Sequence, residues 1–334
     1  MKKALLILLK TGITTVLLWM IFREHRFTVA ILPHLKAMLT HWDWTLAGLA
    51  LVGLSCWFHS LRWQVLLIGQ EHPVPGATLL RLTLVSNFFN ITSLGAVGGD
   101  AYKAIALLKR PGARKLPIMV SIMLDHMLGI FGLAILFIGF GWTFRHQLES
   151  YGPEVHTIVE GFSWFLAGSV FGITLSAISF TPRLYGWGER MWPRILGWPP
   201  LKSFAQACDA IRRSWGCSLL AIALSVLIFA THFLSFYCAI FAVGGQAPLW
   251  EVMAAMPIVD TAAGLPLSVS GLGVREKTFE TLIHAMTGLP EATAVSASLA
   301  GWLMMVVWGL FGGLLFICGT RPAETPTSHP PSDA

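Results

Sequence analysis

The sequence predicts an all-α fold, a polytopic transmembrane helix bundle carrying two broken, re-entrant helical segments. Three observations predict it. Apolar residues fill 55% of the 334 positions and charged residues only 12%, about half the charged share of soluble domains, and mean hydropathy is +0.67. Several uncharged windows meet or approach the roughly 20 residues that a helix needs to cross a bilayer. Two further apolar stretches, Leu79–Gly99 and Val252–Val274, are interrupted by Asn, Gly, Pro or Asp.

Taken in order, the chain opens with Met1-Lys2-Lys3 and an apolar run to Phe22. This resembles a signal peptide without a small-x-small cleavage site, so an uncleaved first span is expected, with Lys10 snorkelling or facing the bundle. Residues 23–43 suit an interfacial helix with Trp42 and Trp44 at headgroup level. The expected spans are then Trp44–Leu61, His126–Phe144, Gly161–Pro182, Ser214–Trp250 and Ala292–Thr320. Ser214–Trp250 is too long for one straight span, and Gly244-Gly245 and Pro248 mark its end. One transmembrane domain over residues 1–321 is expected, followed by a disordered cytoplasmic tail over 322–334 rich in Pro, Ser and Thr.

The interrupted stretches carry the most information. Glycines at the density of Leu94-Gly95-Ala96-Val97-Gly98-Gly99 or Ser270-Gly271-Leu272-Gly273 break helices. Lipid does not tolerate bare backbone, so a broken segment at membrane depth must be buried in protein or line a polar cavity. Lys and Arg in short loops orient the chain. With the N-terminus, residues 101–116, residues 181–215 and Arg321 in the cytoplasm, 14 basic residues lie inside, and only Arg23, Arg26, Lys36 and Arg145 fall outside. Both termini are then cytoplasmic, and the bookkeeping closes only if each broken region enters and leaves on one side, the first from the cytoplasm and the second from outside. That opposition has the form of an inverted repeat. An offset of 173 sets Leu94, Gly98 and Lys103 against Leu267, Gly271 and Glu276; duplication and chance matching both remain open at this point.

Charges inside apolar segments are the candidate site residues. Arg62, beside Trp63, is either a snorkelling arginine or a phosphate ligand whose fork matches phosphate oxygens. Asp100, after Gly98-Gly99 and before Lys103, is either a cap for a helix over Ala101–Leu108 or part of an anion-binding glycine turn. Asp125 sits deep in a span and needs a partner, for which Arg62, Arg81 and Arg275 are candidates. Arg275-Glu276, after Gly271-Leu272-Gly273 and with Asp260 before them, form either an interfacial turn or part of a buried site. His59, His126 and His232 read as satisfied helix histidines. Five scattered cysteines show no metal spacing, and no P-loop, H-E-x-x-H or G-x-S-x-G occurs. No cofactor is expected, and the net charge of +6, spread over loops, does not imply nucleic-acid binding.

Arg62-Trp63, Phe88-Phe89-Asn90, Leu94-Gly95, Gly98-Gly99-Asp100-Ala101-Tyr102-Lys103, Ser121, Asp125, Pro266 and Gly271-Leu272-Gly273-Val274-Arg275-Glu276 together resemble the transmembrane domain of lysylphosphatidylglycerol synthases, a flippase-like family. The resemblance spans roughly residues 10–318. Ser93 stands where that family has proline, Lys103 and His126 where it has arginine, and Ser270 where it has glycine. The resemblance implies movement of a phospholipid or polyprenyl-phosphate headgroup across the inner membrane. The expected headgroup-binding residues are Arg62, Asn90, Gly98, Gly99, Asp100, Lys103, Asp125, Gly271, Gly273, Arg275 and Glu276. Family members with a second, soluble domain aminoacylate phosphatidylglycerol. This chain ends thirteen residues after Arg321, so lysyl transfer is not expected of it. Two other readings are a membrane-embedded transferase acting on a lipid-linked sugar or phosphate, and a membrane partner of a separate lipid synthase.

Overall fold

The computed structural model describes residues 25–92, 96–142, 151–179, 186–187, 190–191, 199–265 and 271–318. Eleven α-helices account for nearly all of these residues, and there is no strand among them. They are α1 (His25–Thr40), α2 (Trp42–Gly69), α3 (Gly76–Thr92), α4 (Ala96–Leu108), α5 (Lys115–Leu136), α6 (Pro153–Ser179), α7 (Pro199–Arg213), α8 (Trp215–Ala242), α9 (Leu249–Gly264), α10 (Val274–Thr287) and α11 (Glu291–Cys318). A π-helical stretch, Phe137–Trp142, continues α5. Among the described residues, α2, α5, α6, α8 and α11 are long and apolar enough to cross a membrane. The expected span at the N-terminus and the tail lie outside the described residues.

Each expected window became a helix, with shifted ends. Charged residues do not stop a helix that can bury or pair them, so α2 runs on past Arg62 to Gly69 and α5 starts at Lys115, eleven residues before the expected His126. The α8 helix ends at Ala242, before Gly244 turns the chain at a φ of 83°. Trp164, Phe171, Trp215 and Ile317 are exposed, which suits faces turned to lipid tails and headgroups.

Small residues set the packing, as is usual where helices meet without a hydrophobic driving force. A Cβ on Gly312 would collide with the Leu84 carbonyl, and one on Gly53 with the Trp308 ring. The contacts also give the register. Gly48 meets Cys238, Ser55 donates to the Ile228 carbonyl at 3.2 Å, and Gly69 meets Cys217, so α2 and α8 run antiparallel along their lengths. Arg81 meets the Leu315 carbonyl, Leu84 meets Gly312 and Ile91 meets Gly309, so α3 climbs α11 in the opposite direction. The end of α3 therefore stands level with the middle of α11. The α4 helix then folds back on α3: Gly99 N–H donates to Asn90 Oδ1 at 3.0 Å, and Phe89 stacks on Tyr102 at 5.0 Å.

This corrects the expectation for the first break. Gly98, Gly99 and Asp100 lie within α4, which starts at Ala96, so Asp100 does not cap a helix over Ala101–Leu108. Gly99 serves close approach instead, since a Cβ there would strike Asn90 and Ser86 of α3. The break itself falls between α3 and α4 at residues 93–95, and the second falls between α9 and α10. Residues 93–95 and 266–270 lie outside the described residues, but Gly271 and Gly273 are described, with φ of 73° and 85°. L-residues seldom adopt these values.

Helix positions recur along the chain. α1 and α7 start 174 residues apart, whereas α2 and α8, and α3 and α9, each start 173 apart. α4 and α10, and α5 and α11, follow in the same order at offsets of 178 and 176.

Candidate functional site

Near the middle of α2 and α8 the helices leave a cavity of about 250 Å³. Ser55, Cys56, His59 and Arg62 of α2 line one side, and Asn87 and Asn90 of α3 another. His232 of α8 and Asp260 of α9 complete the polar lining, with Trp308 and Met305 of α11 among the apolar walls. The ends of α3 and α9, the two helices that precede the breaks, both reach this cavity.

Arg62 is 4% exposed and Asp125 6%. Arg62 Nε donates to Asp125 Oδ1 at 2.7 Å, and its Nη1 donates to Ser225 Oγ of α8 at 2.9 Å. A snorkelling role is thereby overturned: α2 continues for seven residues beyond Arg62, so its head faces a buried carboxylate. Asp125, on α5, has the partner its burial demands. His59 Nε2 stands 3.1 Å from Asp125 Oδ2 and 3.3 Å from Arg62 Nη2. One ring nitrogen cannot serve both. Protonated it donates to Asp125, and unprotonated it accepts from Arg62. Trp63 secures the same corner by donating from Nε1 to Ser121 Oγ at 3.1 Å.

Lys103 of α4 is 5% exposed. Its ammonium lies 5.3 Å from the Trp63 ring centroid, a cation–π contact. Among the described residues it has no carboxylate within ion-pairing distance. Its charge acts on His59 and Asp125, so the cluster of Arg62, Asp125 and Lys103 carries one positive charge in excess.

On the far side of the cavity His232 Nε2 lies 3.2 Å from Asp260 Oδ1. Phe233 and Phe236 flank the imidazole at 5.9 and 5.3 Å. Arg275 acts electrostatically on Asp260.

The expected residues therefore divide. Arg62 and Asn90 line the cavity, Asp125 holds Arg62, and Lys103 charges the same corner. Asp100 pairs with His126 at 2.7 Å in a more exposed position and does not line the cavity. Gly98 and Gly99 shape the α3–α4 contact. Gly271, Gly273, Arg275 and Glu276 form the entry to α10. There Glu276 Oε2 accepts the Gly273 N–H at 2.5 Å, and Arg275 and Glu276 are buried, which overturns the interfacial-turn reading. Sequence reasoning missed His59, Asn87 and His232 as lining residues and noted Asp260 only as a neighbouring charge. A signal existed: His59 and His232, and Asn87 and Asp260, are each 173 residues apart. Among the described residues no group of three His, Cys, Asp or Glu side chains is placed to hold a metal ion.

Comparison with known families gives one match: the model of the lysylphosphatidylglycerol synthase TM region matches residues 7–313. The chain belongs to that family. All the cavity-lining residues fall within the matched part of this lysylphosphatidylglycerol synthase TM region, and so do both breaks. Membership and five membrane-length helices make it a multi-pass membrane protein. No curated protein and no solved structure matches the chain.

Proposed function

We propose that the central cavity receives the phosphate-bearing headgroup of a membrane lipid, and that the protein moves this headgroup across the inner membrane. The observation that carries the reading is the buried, carboxylate-free ammonium of Lys103 beside a polar cavity at mid-bundle. A buried charge without a counter-ion is costly, and a phosphodiester supplies the missing anion. Arg62 is held by Asp125 and Ser225, so it contributes the side of its guanidinium that faces the cavity. Asn87 and Asn90 supply amide donors.

In this reading α3–α4 and α9–α10 are re-entrant pairs, the first entering from the cytoplasm and the second from outside. The recurrence of helix starts at 173–174 residues and the antiparallel contact of α2 with α8 support an inverted repeat. Inverted repeats put substrate sites near the midplane, where discontinuous helices meet. Both termini lie in the cytoplasm in this arrangement, and Arg275 and Glu276 would tune the second half of the cavity.

The test is reconstitution in vesicles with headgroup-labelled phospholipids. Accelerated loss of label protection, abolished by Lys103→Gln in protein that still elutes as a single species, is expected. Unchanged flipping across anionic, zwitterionic and polyprenyl-phosphate lipids would remove the reading.

A further inference from the structure

The cavity holds a second acid–base pair that headgroup binding alone does not use. Resting on the headgroup reading, we infer that His232 and Asp260 form a proton site coupled to the cavity, so that an anionic headgroup and a proton are taken up together.

Placement is the first argument. His232 Nε2 and Asp260 Oδ1 are 3.2 Å apart, both residues line the cavity, and their side chains are 14% and 31% exposed. The pair therefore shares its space with whatever enters. His232 also occupies the position of His59 one helix-offset later, 173 residues on, and Asp260 occupies that of Asn87. The same frame thus carries a histidine from each half of the chain into one cavity, and the second half adds a carboxylate where the first has a neutral amide.

Charge is the second argument, and it separates the two histidines. Around His59, α2 contributes Arg62, α5 Asp125 and α4 Lys103. Permanent cations already balance that carboxylate, and the guanidinium beside the ring opposes a further positive charge. Around His232 and Asp260, α10 contributes Arg275, with Glu276 next to it, and the cavity face of α2 contributes His59 and Arg62. The titratable lining contributed by α3 and α11 is nil, since Asn87, Asn90, Met305 and Trp308 hold no proton in this range. When His232 is neutral, its pair with Asp260 is a net anion in the bundle. When it takes a proton, the pair is neutral overall. A phosphodiester entering beside an anionic pair is repelled, and one entering beside a neutral pair is not. Binding and proton uptake are then reciprocal by linkage. The step balances simply: one proton moves from solvent to the His232 Nε2–Asp260 Oδ1 site as one phosphodiester enters.

The experiment uses full-length protein in detergent and dihexanoyl phosphatidylglycerol, whose phosphodiester keeps its charge over the range. A chain-free arm with glycerophosphoglycerol separates lipid from headgroup recognition. Affinity is measured from about pH 8.5 to about pH 5.5, which brackets an ordinary histidine, and proton uptake is followed with an indicator in weak buffer. One linked proton tightens binding by up to about tenfold per pH unit across the window in which the pair titrates. Tightening of that order, with alkalinisation on lipid addition, is expected. Asp260→Asn and His232→Gln should each flatten the pH slope, whereas His59→Gln should keep it whatever its affinity. Binding that is independent of pH in the native protein would overturn the coupling and leave the headgroup site standing. A reversed slope, tighter at high pH, would also overturn it. No binding at any pH in either arm would overturn both readings. If the variants fail to fold, the native pH slope and proton count still decide.

Discussion

Arg62 and Asp125 offer the sharpest test of how the site is held. The two charges are almost fully buried and meet at 2.7 Å. Arg62→Gln leaves Asp125 with His59 as its remaining polar partner among the described residues, and Asp125→Asn leaves the guanidinium with Ser225 and His59. Removing one member of a buried pair typically costs about 3–5 kcal/mol, because the other charge stays buried without compensation. The adjacent cavity admits water, which favours the lower end, so each single change should cost about 3 kcal/mol. The double variant has no orphaned charge and should cost no more than either single, about 3 kcal/mol. The coupling energy is then about 3 kcal/mol, the upper end for contacting residues. The assay is denaturant unfolding in detergent, with melting of a fluorescent fusion by size-exclusion as a second readout. The double variant should regain expression but not lipid movement, because the guanidinium facing the cavity is gone. A double variant whose loss equals the sum of the singles would refute the pairing, and Asp125 would need another cation.

Three further outcomes are expected. Gly312→Ala forces a Cβ into the Leu84 carbonyl and should destabilise by about 1–3 kcal/mol, whereas Gly139→Ala, with nothing within 4 Å of the new methyl, should be close to neutral in the same unfolding assay. Cysteines at Arg110 and Arg190, both exposed, should resist impermeant thiol reagents in intact cells, while one at the exposed Glu154 should label; labelling at position 190 from outside would invert the topology. Burial pushes the Cys208 thiol of α7 up to about 11. The thiolate is the reactive form, so Cys208 should be modified far more slowly at neutral pH than the exposed Cys318, a difference readable by intact-protein mass spectrometry under native conditions.

The spans were legible because hydrophobic length is a local property: a run such as Trp215–Ala242 carries its own reason to be a helix in lipid. The end of α8 was legible for the same reason, since Gly244 can turn where other residues strain. The positions of the first break and of Asp100 were misread. Glycine density signals both a broken helix and a close helix–helix contact, and only the proximity of Ser86 and Asn90 shows that Gly99 serves the second. Arg62 shows the same limit. Its charge marked it as a site residue, but whether it snorkels or pairs depends on what stands opposite, and Asp125 lies 63 positions away on another helix.

The sequence by itself determined the class of molecule, its membrane-length helices, the need of Asp125 for a partner, and the family. Composition and short-range pattern suffice for these. The tertiary structure alone decided which polar residues share a cavity. His59, Asn87, His232 and Asp260 each read singly as ordinary helix residues. They converge because α2 and α8 cross antiparallel with glycines between them, and because α3 and α9 stop at the same level. That convergence is a property of packing between distant segments, and no local pattern carries it.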